Sequence, residues 1–270
     1  MNRKVLNEKT IKDFQIKILS WYKINKRDFP WRKTTDPYFI LVSEVMLQQT
    51  QAKRVVPYYE KFVKKFPTIN DLADAKNSEV LLVWSGLGFN NRAIRLKEIA
   101  KTIQLNNGAA FPEKIDELLA LKGIGNYTAA AIAAFAFNKK TVVIDTNIRR
   151  VLIHELHLSE NISQKLLSEI ALSVIPNGKS RIWHNALMDY GAMAATARLT
   201  NIKSKSKQST FKGSEREVRG KILKLLLDEK KLTKAKLAEL FLHENLEEII
   251  RKMKTDGLVE ERRGLITIIN

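Results

Sequence analysis

Leu121-Lys122-Gly123-Ile124-Gly125-Asn126-Tyr127 is the stretch on which the fold turns. Its two glycines permit positive φ and let the backbone approach another molecule closely. A helix is predicted directly behind them, from Asn126 to Phe137, and its run Thr128-Ala129-Ala130-Ala131-Ile132-Ala133-Ala134 has side chains small enough for another helix to pack tightly against it. The pattern predicts two helices locked around a short hairpin. Lys122, Gly123, Ile124, Gly125 and Asn126 would then present unpaired backbone N–H groups at the start of the second helix, an arrangement suited to a phosphate and equally found in an ordinary tight turn.

On either side of the hairpin, apolar residues recur at helical spacing: Phe39, Leu41, Val42, Val45 and Met46, then Val55, Tyr58, Tyr59, Phe62 and Val63, then Val80, Leu81 and Trp84. An all-α chain is expected, its helices separated by breaks at 65–68, 86–88, 106–108 and 176–178. Thr141-Val142-Val143-Ile144 is the strand-like run of the first 200 residues, too short to argue for a sheet. Residues 1–196 read as the main domain. Over 197–214 the periodicity fails, and Arg198, Lys203, Lys205, Lys207 and Lys212 stand without an acidic residue among them, as in a basic linker. Residues 215–270 read as a small module. Ser214-Glu215-Arg216-Glu217 has capping-box spacing and opens a helix to about Asp228; helices follow near Thr233 to Phe241 and Leu246 to Thr255; and residues 257–268 alternate about a tight turn like a hairpin. Three helices and a hairpin suggest a winged helix, with Arg251, Lys252, Lys254, Arg262 and Arg263 placed to meet duplex phosphates or, equally, to form a merely solvated basic face.

Lys and Arg outnumber Asp and Glu by 47 to 29, a formal charge of +18 that suits a polyanionic partner and is equally found in a merely soluble basic protein. The chain has no cysteine, which excludes disulfides, thiol nucleophiles and thiolate-ligated clusters. His154, His157, His184 and His243 are too scattered for zinc, so no metal site is expected. No apolar run approaches the roughly 18 residues of a membrane span. The start, Met1-Asn2-Arg3-Lys4-Val5-Leu6, lacks the apolar core of a secretory signal, so a cytoplasmic protein with no membrane partner is expected.

The hairpin and its helix, together with Ile144-Asp145-Thr146-Asn147-Ile148-Arg149-Arg150-Val151, resemble the helix-hairpin-helix DNA glycosylase superfamily. Within it, Trp31-Arg32, Asp36-Pro37-Tyr38, Ser43-Glu44-Val45-Met46-Leu47-Gln48-Gln49-Thr50-Gln51, Gly86-Leu87-Gly88 with Arg92-Ala93, and Ala186-Leu187-Met188-Asp189-Tyr190-Gly191-Ala192 are similar to MutY-type adenine DNA glycosylases. The resemblance implies two helical lobes with the active site between them. It also implies a monomer at the nucleoid, acting on double-stranded DNA that carries a mismatch or an oxidised base.

The resemblance assigns roles that the chemistry supports. A base must leave the stack before it can be cut, and Gln48 and Gln49 are candidates to wedge the gap. Adenine leaves well only when its N7 is protonated, a task for a carboxylic acid of raised pKa; Glu44, amid Val42, Val45, Met46 and Leu47, takes that role. An ionised Asp145 would stabilise the oxocarbenium sugar and orient water, with Asn147 as its hydrogen-bonding neighbour. Taken singly, Glu44 reads equally as a solvated or capping residue, and Asp145 as the N-cap of a helix from Asn147 to Glu155. Bifunctional members place a lysine where this chain has Tyr127; a phenol forms no Schiff base, so the resemblance implies a monofunctional enzyme that leaves an abasic site. Trp31, Arg32 and Asp189 match the base pocket. Core packing for Trp31, a phosphate contact or surface ion pair for Arg32, and a buried bond from Asp189 to His184 or an arginine are the alternatives.

Most relatives follow the Gly191-Ala192-Met193 segment with four cysteines that ligate an iron–sulfur cluster. Here the matching places are Ala195, Ile202, Lys205 and Phe211, so no cofactor is expected. No counterpart of the larger C-terminal domain that inspects oxidised guanine is expected in residues 215–270, which read as a winged helix, and Thr146 and Phe89-Asn90-Asn91 depart from the family pattern. Base preference stays open between adenine opposite 8-oxoguanine or guanine and thymine or uracil in a mismatch. A non-enzymatic DNA-binding regulator is a third reading.

Overall fold

The computed structural model describes residues 6–108, 110–203, 210–241 and 243–270. Met1 to Val5, and Lys205 and Lys207 of the basic segment, lie outside the described residues. Helices dominate, as the periodicity predicts: α1 (Glu8–Asn25), α2 (Pro37–Leu47), α3 (Ala52–Lys65), α4 (Ile69–Asp74), α5 (Asn77–Trp84), α6 (Asn91–Asn107), α7 (Ile115–Ala120), α8 (Asn126–Phe135), α9 (Thr146–Glu155), α10 (Gln164–Ser173), α11 (Ser180–Met193), α12 (Ala197–Thr200), α13 (Glu215–Glu229), α14 (Lys234–Leu240) and α15 (Leu246–Thr255). The strands β1 (Lys231–Thr233), β2 (Val259–Arg262) and β3 (Leu265–Ile268) are short and lie beyond residue 230. Two compact units interleave along the chain. The first takes Met1–Leu41, Glu113–Ala120 and Ile124–Lys207, and the second takes Val42–Pro112, Leu121–Gly123 and Gln208–Asn270.

In the first unit, α1, α9, α10 and α11 enclose a core that includes Phe14, Ile18, Val151, Leu152, Trp183 and Leu187, with the Phe14 and Trp183 rings edge to face at 5.4 Å. The alanines of α8, Ala129 to Ala134, are all buried, so this helix is packed on every side. It ends at Phe135, two residues sooner than predicted, because Asn138 takes a left-handed conformation and the Lys139 N–H bonds back to the Ala133 carbonyl at 2.9 Å. The segment read as an irregular linker contains α12, whose N-cap Thr196 accepts the Leu199 N–H.

In the second unit, Phe62, Leu72, Trp84, Leu96, Ile99 and Ile103 are wholly buried. Each contributes on the order of 2 kcal/mol by leaving water. The break at 65–68 is a helix start: Thr68 and Asp71 cap each other reciprocally ahead of α4. Residues 215–270 keep the predicted order of helices and hairpin and add β1, which pairs antiparallel with β3 so that the sheet runs β1-β3-β2. Leu232 stands opposite Ile266, both buried, and the hairpin turns through left-handed Arg263 and Gly264. The predicted capping box at Ser214 does not close as such; the Glu217 carboxylate accepts the Gly213 N–H at 2.7 Å and the Ser214 hydroxyl donates to the Phe211 carbonyl. The C-terminal segment packs α13 against α5, and the Asn270 side-chain oxygen accepts the Ser78 N–H in the first turn of α5 at 2.9 Å.

Charge is divided unevenly. Residues 215–270 hold 13 Lys and Arg against 11 Asp and Glu, whereas residues 1–214 hold 34 against 18. Of the basic residues expected to meet phosphates, Arg251 pairs with Glu248, Lys252 with Glu215, Lys254 with Glu261 and Arg262 with Glu260. Those cations already have carboxylates in the fold.

Candidate active site

Glu44 lies in the second unit on α2, buried at 6 % exposure beside Val42, Val45 and Met46, which are buried too. The helix stops at Leu47, and its last carbonyls need donors that a helix cannot supply. Arg92 supplies them. Its Nη1 donates to the carbonyls of Val45 at 2.9 Å, Met46 at 3.0 Å and Gln48, and its Nη2 donates to the Gly88 carbonyl at 3.1 Å and the Thr50 hydroxyl at 3.2 Å. The guanidinium also lies 5.4 Å from the Trp84 ring centroid and 5.2 Å from that of Phe89. Burial, with the charge of Arg95 adding to it, lowers the Arg92 pKa to about 10, so it stays cationic at neutral pH. Half-buried Gln48 and exposed Gln49 form the turn that follows, with Gln49 left-handed at φ +56°.

Asp145, in the first unit, is the N-cap of α9, which opens at Thr146, one residue before the predicted start. One carboxylate oxygen accepts the Ile148 N–H at 2.7 Å, and the other accepts the Asn147 side-chain amide at 3.0 Å. Capping and chemistry are therefore compatible tasks for a single residue. The Asn147 side-chain oxygen, Oδ1, accepts from Arg150 at 3.2 Å, and Arg150 further donates to the carbonyls of Gly191 and Ile202. Burial pushes the Asp145 carboxyl above its ordinary pKa, while the Ile148 N–H and Asn147 pull it back. Upstream, the Val143 N–H donates to His184 Nε2 at 3.3 Å, and His184 Nδ1 lies 2.8 Å from the Ser180 carbonyl. Burial lowers the His184 pKa to about 4, which leaves the ring neutral with Nδ1–H donating and Nε2 accepting.

The hairpin corrects one expectation. Gly123 does take φ +105°, and a Cβ there would sit 2.7 Å from Arg95 Cγ, but Gly125 is extended at φ −97°. Beyond Gly125 and its two chain neighbours, no atom of the described residues lies within 4 Å of where a Gly125 Cβ would point, so this position offers open backbone rather than special conformation. Lys122 and Asn126 are exposed, Ile124 is buried, and Tyr127 is half-buried in the first turn of α8.

Trp31 is buried and stacked on Phe29, with ring centroids 4.9 Å apart and 9° between planes. Asp189 has no exposed surface. It accepts the Arg27 N–H at 2.9 Å, Arg27 Nε at 2.6 Å, and Nη1 and Nη2 of Arg32 at 2.7 Å each. Burial alone would raise its pKa; the Arg32 fork and Arg27 outweigh that and hold it below the carboxylate range. Asp189 thus stands as the counter-ion of two arginines, with no bond to His184. The sequence assigns no task to Arg27, Arg92 or Arg150, and for His184 it offers only a bond to Asp189, in place of which the ring meets Val143 and Ser180. Their partners are mostly backbone carbonyls or residues far along the chain, which leave no local motif.

The residues at the family's cluster positions do not fit an iron–sulfur group. Ala195 and Ile202 are packed apolar side chains, Phe211 is exposed, Lys205 lies outside the described residues, and the chain has no cysteine. Among the described residues there is no grouping of three or more His, Asp or Glu able to hold a metal, and no helix long and apolar enough to cross a membrane.

Residues 42–177 match the model of the HhH-GPD superfamily of base excision DNA repair proteins. The chain is 35 % identical to an adenine DNA glycosylase of Mycolicibacterium smegmatis across 91 % of its own length and 92 % of that protein's. It is 39 % identical to an adenine DNA glycosylase of Buchnera aphidicola over 65 % of its length, spanning about half (51 %) of that relative. Among solved structures, a thermostable thymine-DNA glycosylase superposes with a TM-score of 0.63 at 36 % identity, covering 68 % of this chain and 87 % of the other.

Proposed function

The chain belongs to the HhH-GPD superfamily of base excision DNA repair proteins, and on that footing we propose that it is a monofunctional adenine DNA glycosylase acting on duplex DNA. The observation that carries this reading is the match to an adenine DNA glycosylase along nine-tenths of both chains. The favoured substrate is adenine opposite 8-oxoguanine or guanine, taken by a monomer at the nucleoid, with no iron–sulfur cluster.

Each step has a residue suited to it. Gln48 and Gln49 wedge the gap as adenine leaves the stack, and the exposed N–H groups around Gly125 hold the backbone. Glu44, a buried carboxyl, protonates N7, so that the C1′–N9 electron pair departs with a neutral base. Asp145, oriented by Asn147, faces the developing positive charge and directs water to C1′. Tyr127 has no amine with which to continue to strand scission. Arg32, paired to Asp189, lies beside stacked Trp31 and Phe29, groups able to line a base pocket. Single-turnover base release is to be measured on duplexes carrying A opposite 8-oxoguanine, A opposite G, T opposite G and U opposite G. Release of adenine is expected; release of thymine or uracil alone would replace this reading by the mismatch pyrimidine one, and release of nothing would leave the DNA-binding regulator.

A further inference from the structure

Two loops of the second unit each contain a residue that is not glycine in the left-handed region, Gln49 at φ +56° and Phe89 at φ +51°. Such conformations persist only where surrounding contacts hold them. Arg92 ties the two together, bonding Gln48 and Thr50 on one side and Gly88 on the other while its guanidinium lies against the Phe89 ring. A second guanidinium, that of Arg216 in the first turn of α13, lies 5.0 Å from the same ring centroid. The module that carries Arg216 is fixed to α5 by α13 and by the Asn270 cap. Its own charges nearly cancel and are largely paired internally, a poor design for gripping phosphates but a sound one for a rigid prop.

We propose that Arg216 is a positioning residue for base extrusion: through Phe89 and Arg92 it holds the Gln48–Thr50 turn in shape, so that residues 215–270 brace the wedge. This rests on the wedge role given above to Gln48 and Gln49. The full chain is to be tested on a duplex with A opposite 8-oxoguanine and 2-aminopurine beside the target, whose fluorescence reports extrusion independently of excision. Arg216→Ala is expected to lower both the extrusion signal and the single-turnover rate by about three- to tenfold, the range a lost cation–π contact supplies. Its melting temperature and the salt dependence of DNA affinity should stay at wild-type values. Arg216→Lys, which keeps a cation over the ring, should recover most of the loss. Wild-type extrusion by Arg216→Ala overturns the brace, and so does a loss that lysine fails to rescue or that tracks a fall in melting temperature. A flattened salt slope would instead make Arg216 a phosphate contact. If the wild type extrudes the base without excising it, the glycosylase reading fails while the brace is still decided by fluorescence.

Discussion

Gly191 on α11 and Asn147 on α9 meet backbone to backbone: a Cβ on Gly191 would lie 2.8 Å from the Asn147 carbonyl oxygen. Nothing larger than hydrogen fits without displacing the helix whose cap is Asp145. Gly191→Ala should destabilise the protein by about 1–3 kcal/mol, the usual cost of overpacking, and slow excision further by moving Asn147 away from Asp145. Urea denaturation and single-turnover kinetics check both effects; an unchanged rate would mean that Asp145 does not depend on this contact.

Glu44→Gln and Asp145→Asn should each bind DNA while losing about 100-fold or more in excision rate, since the amides keep shape but lose the proton donor and the charge. Asn is as good an N-cap as Asp, so Asp145→Asn should melt near the wild-type temperature. A rate within a few-fold of wild type for either variant would remove its assigned role.

Strand cleavage should need a separate alkali or heat step after base release. Borohydride should trap little wild-type protein on DNA, because Tyr127 cannot form an imine, whereas Tyr127→Lys should gain trapping. Efficient trapping by the wild type would point to another amine, with exposed Lys122 the first to replace.

His184 gives the fold a pH dependence of definite sign. Its folded pKa, about 4, lies below the ordinary 6.5, so the unfolded chain takes up a proton first as pH falls. The contribution is complete above about pH 6.5 and is lost as pH drops toward 4, on the order of 3 kcal/mol at most. Denaturation across this window should show the loss, and His184→Gln should flatten the slope.

Asp189→Asn leaves Arg27 and Arg32 without their carboxylate. A loss on the order of 3 kcal/mol is expected in the DNA-free protein, as when one partner of a buried pair is removed. An unchanged melting temperature would mean that Asp189 serves only a bound ligand.

The helices were legible where the apolar stripe is long: Leu246, Ile249, Ile250 and Met253 face the core of α15, which spans the predicted residues. β1 was not, because Lys231-Leu232-Thr233 turns a single buried side chain inward and becomes a strand only by pairing with β3. The Asp145–Asn147 bond was legible because its partners are two residues apart. An arginine could be named as a partner for Asp189, but not which one, since Arg27 lies 162 positions away, and Arg92 bonds largely to carbonyls that every residue possesses, so its arrangement leaves no trace in composition or spacing. The ion pairs that neutralise α15 and the β2–β3 hairpin were hidden for the same reason, since a list of lysines and arginines does not reveal which glutamates face them.

The uneven division of charge bears on how such a protein finds its target. Residues 1–214 carry nearly all of the positive excess, so most of the long-range attraction to a polyanion such as DNA comes from that part of the chain. Residues 215–270, whose charges nearly cancel, add little to that attraction. Under the brace proposed for Arg216, what they contribute comes after arrival, at the moment a base pair is opened.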